Sequence, residues 1–302
     1  MPIRCQQLHI DEVTGVFPCQ VMHFPCPYLG LPLSYKRPSR AALQPVLDKI
    51  INRCPTWKAN LMAKQGRLIL IKTVLVSIPV HHSIALELPD WFLKAYEQRL
   101  RAFFWQGSEK VHGGHCMVAW ETVCRPVWYG GLGIPNLKIM GWALRLRWLW
   151  LRSSPDSSWA ALPSSPDLAL EGFFAASTIM KVGNGDTARF WVDRWLDGQS
   201  VRAIAPHLFA AVDAAIIGVH SVRQALAGNA WVRDVTGVLT VPVISELLLL
   251  HNQLASLPPL CGFDDRLVWK WTTDGVYTTA SAYKALFLGL ESFACGKIVW
   301  KA

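Results

Sequence analysis

The chain has 302 residues, 52% hydrophobic and only 17% charged, with a formal net charge of +9. That length suits about two domains and a sizeable core, and the composition excludes disorder for most of it, since disorder needs low hydrophobicity and high charge. The longest apolar stretch, Ala203 to Val219, is broken by Pro206, His207 and Asp213, so no segment is expected to supply the roughly 20 apolar residues of a membrane span.

Residues 17–38 are rich in proline around Tyr28-Leu29-Gly30-Leu31-Pro32-Leu33 and are expected as extended chain and turns. A helix is predicted from Arg40 to Arg53, where Leu43, Val46, Leu47 and Ile50 form an amphipathic stripe before Pro55. The next, Ala63 to Ile78, is apolar on several faces and should be buried nearly all round, with Pro79 stopping or kinking it. Pro89-Asp90 opens a third helix carrying Leu93, Tyr96, Leu100, Phe103 and Phe104. Gly113-Gly114 and Gly130-Gly131 bracket a short extended piece at Val118-Ala119-Trp120, and Pro135 starts a helix with Ile139, Trp142, Leu146 and Leu149 on one stripe. Residues 153–167, dense in Ser, Pro and Asp, read as a linker.

Beyond the linker, Thr178–Val182 and Thr187–Trp191 flank Gly183-Asn184-Gly185-Asp186, a strong hairpin signal because both residues of Asn-Gly take positive φ. Pro242 precedes a helix through Leu250. A second hairpin is expected from Arg266–Thr272 and Val276–Thr279 around Asp274-Gly275, followed by a helix over Ser281–Leu286. The expected fold class is α-rich α+β. It comprises an extended segment (1–37), a helical bundle (38–107), a connector with Gly-rich turns and a helix (108–152), the linker (153–167) and a mixed region with β-hairpins (168–302).

Charge is uneven. Residues 1–152 carry 19 Lys/Arg against 8 Asp/Glu, whereas 153–302 carry 11 against 13. Within 13–86, nine Lys/Arg face the single acid Asp48, a one-sided field that suits a polyanion. Lys49 and Arg53 are spaced i, i+4, and Lys64 and Arg67 i, i+3, with Lys72 further along; each pair shares a helix face that can contact phosphates or remain solvated. Asp264-Asp265 follows Phe263 directly, which departs from the metal-binding hairpin of polymerases and reads as a turn leading into a strand. His112, His115, Cys116 and Cys124 cluster, but not at the spacings of structural zinc sites, and are expected as half-buried side chains. There is no nucleophile motif and no phosphate loop. The eight cysteines, without a CxxC pair, suit a reducing compartment. The N-terminal residues lack the apolar core of a signal peptide, so an intracellular location, cytoplasm or nucleus, is expected.

Several motifs in order carry a family resemblance: Phe24-Pro25-Cys26-Pro27-Tyr28-Leu29-Gly30-Leu31-Pro32-Leu33, Trp57-Lys58, Gly66 through Val80, Phe104-Trp105-Gln106-Gly107, Gly130-Gly131-Leu132-Gly133-Ile134 and Phe190-Trp191-Val192-Asp193-Arg194-Trp195. The chain resembles plant LINE-type (non-LTR) retrotransposon reverse transcriptases, from just after the catalytic palm. Trp269-Lys270, Gly275-Val276-Tyr277, Ser281-Ala282-Tyr283 and Ile298-Val299-Trp300-Lys301 look like the opening of that family's zinc-binding region. The resemblance implies that the catalytic aspartates precede residue 1 and the zinc ligands follow Trp300-Lys301. The chain is accordingly expected not to be an enzyme and to hold no metal, cofactor or small-molecule substrate. Residues 38–107 would then be a thumb-like bundle binding RNA or RNA–DNA duplex weakly and without sequence preference, through Lys49, Arg53, Lys58, Lys64, Arg67 and Lys72. The alternatives are a non-catalytic protein-interaction module using the Trp-rich surface, or a non-functional pseudogene product.

Overall fold

The computed structural model describes residues 7–17, 21–22, 24–34, 36–111, 114, 116–153 and 168–300. The chain divides into two compact units, Met1–Gly141 with Gly289–Ala302, and Trp142–Leu288. Helices dominate and the strands are short, the α-rich α+β class that the sequence predicts. The linker expected at 153–167 lies, except for Ser153, outside the described residues.

The first unit begins with α1 (Gln7–Val16), a helix where extended chain was expected. Strands β1 (Cys26–Tyr28) and β2 (Leu31–Leu33) pair antiparallel, Cys26 opposite Leu33 and Tyr28 opposite Leu31. Leu29 and Gly30 form the turn at φ 49° and 80°, the two left-handed positions of a tight hairpin. Helix α2 (Arg40–Arg53) occupies its predicted span, capped by Ser39, whose hydroxyl accepts the Ala42 N–H at 3.3 Å. Its stripe Leu43, Val46, Leu47 and Ile50 is buried. A short α3 (Thr56–Asn60) follows.

Next come α4 (Lys64–Leu70), a π-helical turn (Ile71–Leu75) and α5 (Ser77–Ala85), one helical run through Pro79. Pro79 is the third residue of α5, inside the continuous run, where it supplies no backbone N–H donor. The π turn restarts the register just before it: the Val76 N–H reaches back to the Ile71 carbonyl. Lys64–Ala85 is 22 residues long and, by length and composition, apolar enough to cross a membrane. One such helix does not by itself make a membrane span, and the expectation that no segment spans, which rests on the interrupted stretch Ala203–Val219, is not overturned. The run is also not buried all round: Ile71, Leu75 and Val76 enter the core while Ile69 is exposed.

Helix α6 (Asp90–Gln106) buries Phe92, Leu93, Tyr96, Leu100, Phe103 and Phe104 against the α2 stripe and Ile71 and Leu75. It ends at Gly107, whose φ of 67° sends its N–H to the Phe103 carbonyl at 3.0 Å. A helical turn, α7 (Trp120–Val123), replaces the expected extended piece. Helix α8 (Leu137–Arg152) is opened by the Asn136 side chain, which accepts the Lys138 and Ile139 N–H groups at 3.0 and 3.2 Å; from Trp142 its residues belong to the second unit.

In the second unit, α9 (Leu168–Ser177) runs into β3 (Thr178–Lys181). Short helices α10 (Val201–Ile204), α11 (Pro206–Ala210), α12 (Ala214–Ile217) and α13 (Val222–Leu226) lead to α14 (Val241–Ala255), which extends past its predicted end at Leu250. Strand β4 (Arg266–Trp269) pairs antiparallel with β3, Thr178 opposite Trp269 and Lys181 opposite Arg266. The first expected hairpin therefore does not form: the partner of 178–181 is β4, not 187–191. The second hairpin keeps one arm, since Trp269 bonds Gly275 across the turn but 276–278 are not a strand. Helix α15 (Thr279–Ala285) starts from a reciprocal cap between Thr278 and Ser281.

Two apolar clusters fill this unit. One packs Ala143, Leu146 and Leu149 of α8 against Trp269, Tyr277 and Ala282. The other centres on Phe190, Trp191 and Trp231, all fully buried. Within it the Trp191 indole donates to buried Asp234 at 2.9 Å, and His220 Nδ1 contacts the same oxygen at 2.8 Å, while the buried Trp231 indole N–H has no hydrogen-bond partner. Residues from Gly289 on, with α16 (Gly296–Val299), rejoin the first unit, where the Trp300 indole donates to the Gly130 carbonyl at 2.6 Å.

Candidate nucleic-acid interface

The six basic residues singled out in the sequence are not equivalent. Lys49 and Arg53 are exposed one turn apart on α2 and line a groove of about 570 Å³. Its far wall is α5, with Ser77, His81 and His82, and the tip of the β1–β2 hairpin closes one end at Gly30. His81 is exposed, its Nε2 sits 3.1 Å from the Leu29 carbonyl, and its ring meets His82 edge-on at 5.7 Å between centroids. The half-buried His82 imidazole is held below its ordinary pKa, first by burial and then by the neighbouring His81. Adjacent histidines in an apolar helix carry no sequence motif; the packing of α5 against α2 is what brings His81 and His82 to the groove.

The others lie elsewhere. Lys64 is exposed with its ammonium 5.9 Å from the centre of the Trp105 ring, within cation–π range. Arg67 is half-buried and donates to the Phe103 carbonyl at 3.2 Å, and burial lowers its pKa. It finishes the end of α6 beside Gly107 rather than facing solvent. Lys72 is half-buried in the π turn, and burial lowers its pKa too. The side chain of Lys58 is outside the described residues.

Of the remaining candidates, His112 and His115 lie outside the described residues, Cys116 is half-exposed, and Cys124 is buried with its thiol pushed well up by that burial. Among the described residues no three His, Cys, Asp or Glu side chains group to hold a metal.

Asp264-Asp265 leads directly into β4, as the sequence reading has it, with Asp264 exposed but Asp265 partly buried. The Asp265 carboxylate is enclosed by the loop expected to be a hairpin turn. One oxygen accepts the N–H groups of Gly183 and Gly185 at 2.7 and 2.8 Å. The other accepts those of Thr187 and Ala188 at 2.9 and 2.8 Å and the Thr187 hydroxyl at 3.1 Å. Partial burial raises its pKa, but the backbone donors outweigh that and hold the carboxyl below the usual carboxylate range. Gly183 permits the approach, because a Cβ there would lie 2.1 Å from the Phe263 carbonyl oxygen. Asp264 accepts from the Asn184 side chain at 3.1 Å, and Arg223 pairs with Asp186 at 3.1 Å. With both of its oxygens taken by these donors, the Asp265 carboxylate serves as an internal brace.

Over 282 residues the chain is 27% identical to the Arabidopsis thaliana protein named "Putative ribonuclease H protein", a match covering 85% of this chain and 44% of that protein. The chain thus spans less than half the length of the relative it matches. No family model matches the chain, and no solved structure matches it. The similarity ties the chain to a plant protein named for a nucleic-acid enzyme. It also overturns the expectation that the chain is not an enzyme, since ribonuclease H is an enzyme family; that expectation weighed only the carboxylates of a polymerase palm.

Proposed function

We propose that this chain derives from a LINE-type retroelement polyprotein, with residues 38–107 as a thumb-like bundle that binds RNA or RNA–DNA duplex by its backbone and 168–302 leading into a zinc-binding region. The observation that carries the binding is the exposed pair Lys49 and Arg53, one turn apart on a groove, within residues 13–86, whose only acid is Asp48. Two cations on one helix face match successive phosphates and read no base edges. The name of the Arabidopsis protein supports a nucleic acid as partner. Lys64, exposed on α4, adds a further cation to the bundle. Lys58 and Lys72 are secondary, and Arg67 contributes by holding the end of α6.

Fluorescence anisotropy of the full chain with a labelled RNA–DNA duplex across a potassium chloride series tests this. Affinity should be micromolar or weaker, as for non-specific binding at about 10⁻⁴–10⁻⁶ M, and should fall steeply with salt. Lys49→Glu with Arg53→Glu should weaken binding at least about tenfold and flatten the salt slope by roughly 0.9 per lost phosphate contact, the B-DNA value. Salt-independent binding, or affinity unmoved by the double reversal, would leave the basic bundle as a solvated face.

A further inference from the structure

The same groove has apolar lining that a duplex backbone cannot use. Val46 of α2 and Val74 and Ile78 of the run opposite line it together with Lys49 and Arg53. His81 also lines it, exposed, with its ring placed by the Leu29 carbonyl and by edge-on contact with His82. A flat aromatic ring with a pair of cations and apolar side chains is the composition of a platform for unpaired nucleotides: the base stacks on the ring and its phosphate meets the cations. Paired bases present no free face, because both faces are already stacked within the helix. The volume, about 570 Å³, lies within the range of small-ligand clefts.

We infer that this groove takes an unpaired nucleotide of a single strand, its base stacked on His81 and its phosphate held by Lys49 and Arg53. The inference rests on the nucleic-acid reading above and adds to it a preference for single strands. A duplex would use only the cations, whereas a single strand would use the cations and the ring.

The test compares the full chain's affinity for a labelled 12-nucleotide oligoadenylate RNA with that for an RNA–DNA duplex at one salt concentration. The single strand should bind more tightly. His81→Ala should weaken single-strand binding about fivefold or more, in line with alanine substitution at a stacking position, and leave duplex binding unchanged. His81→Phe should restore it. Phenylalanine can stack but cannot reach the Leu29 carbonyl, so rescue separates stacking from a role in bracing the hairpin. Equal affinities, a His81→Ala effect shared by both ligands, or no rescue by phenylalanine would overturn the inference while leaving backbone binding intact. If Lys49→Glu with Arg53→Glu changes binding of neither ligand, the backbone reading fails and this inference fails with it.

Discussion

Replacing Asp265 by alanine is expected to destabilise the second unit by on the order of 3 kcal/mol or more, among the largest effects of any single substitution in the chain. Hydrogen bonds to a charged acceptor are worth about 1.5–3 kcal/mol each, and an abandoned buried donor costs about 1–3 kcal/mol. Here four backbone N–H groups and a hydroxyl converge on one carboxylate; solvent at its half-exposed edge moderates the total. Asp265→Asn keeps an acceptor but loses the charge and should fall between. Hydrogen exchange at the amides of 183–188 reads the effect locally, and unchanged protection in Asp265→Ala would refute it. The same group sets a pH dependence. Its folded pKa lies below the unfolded value of about 3.9, so its stabilisation is present above that value and is lost as pH falls through the lower folded one. Protection of 183–188 should therefore decline in acid in the parent protein and show no such step in Asp265→Ala.

Trp191→Ala should cost about 3–5 kcal/mol, the range for a fully buried aromatic side chain cut back to a methyl group. Its ring meets Phe190 edge-on at 4.9 Å between centroids, and its indole N–H is one of two groups on the buried Asp234 oxygen. Removal opens a cavity and takes a partner from an enclosed carboxylate. Trp191→Phe separates the two losses: it fills most of the space without the donor, and should cost about 1–3 kcal/mol. Urea denaturation followed by circular dichroism checks both. Equal losses for phenylalanine and alanine would mean that the hydrogen bond, not the packing, dominates.

The helices were legible where local rules suffice. In α2 the 3.6-residue stripe and the Ser39 cap agree, and in α6 proline stands at the start and glycine at the end, so each element is specified by its own residues. The loop at 183–186 departs from its hairpin signal for the opposite reason. Asn-Gly is a hairpin signal only while nothing else claims its N–H groups, and the carboxylate that claims them lies 80 residues away at Asp265. Strand β3 was found in place, but its partner was not, because pairing across that distance leaves no trace in the spacing. Of the candidate site, Lys49 and Arg53 could be read from helix periodicity as sharing a face. That Arg67, on an equally promising face, is spent on a carbonyl of α6 could not, since its partner is set by tertiary packing.

The π turn at 71–75 has a consequence for how this segment tolerates change in length. A π turn holds one residue more than the α turn it replaces, and here the Val76 N–H reaches back five residues to Ile71. Deleting one residue between Ile71 and Leu75 would therefore let the segment close as plain α-helix with its two ends still in phase, Ile71 in the core and His81 in the groove with Lys49 and Arg53. A deletion elsewhere in Lys64–Ala85 would instead turn one end against the other by about 100°. The extra residue of the turn is thus the one this segment can lose to a single-codon deletion without dismantling the groove.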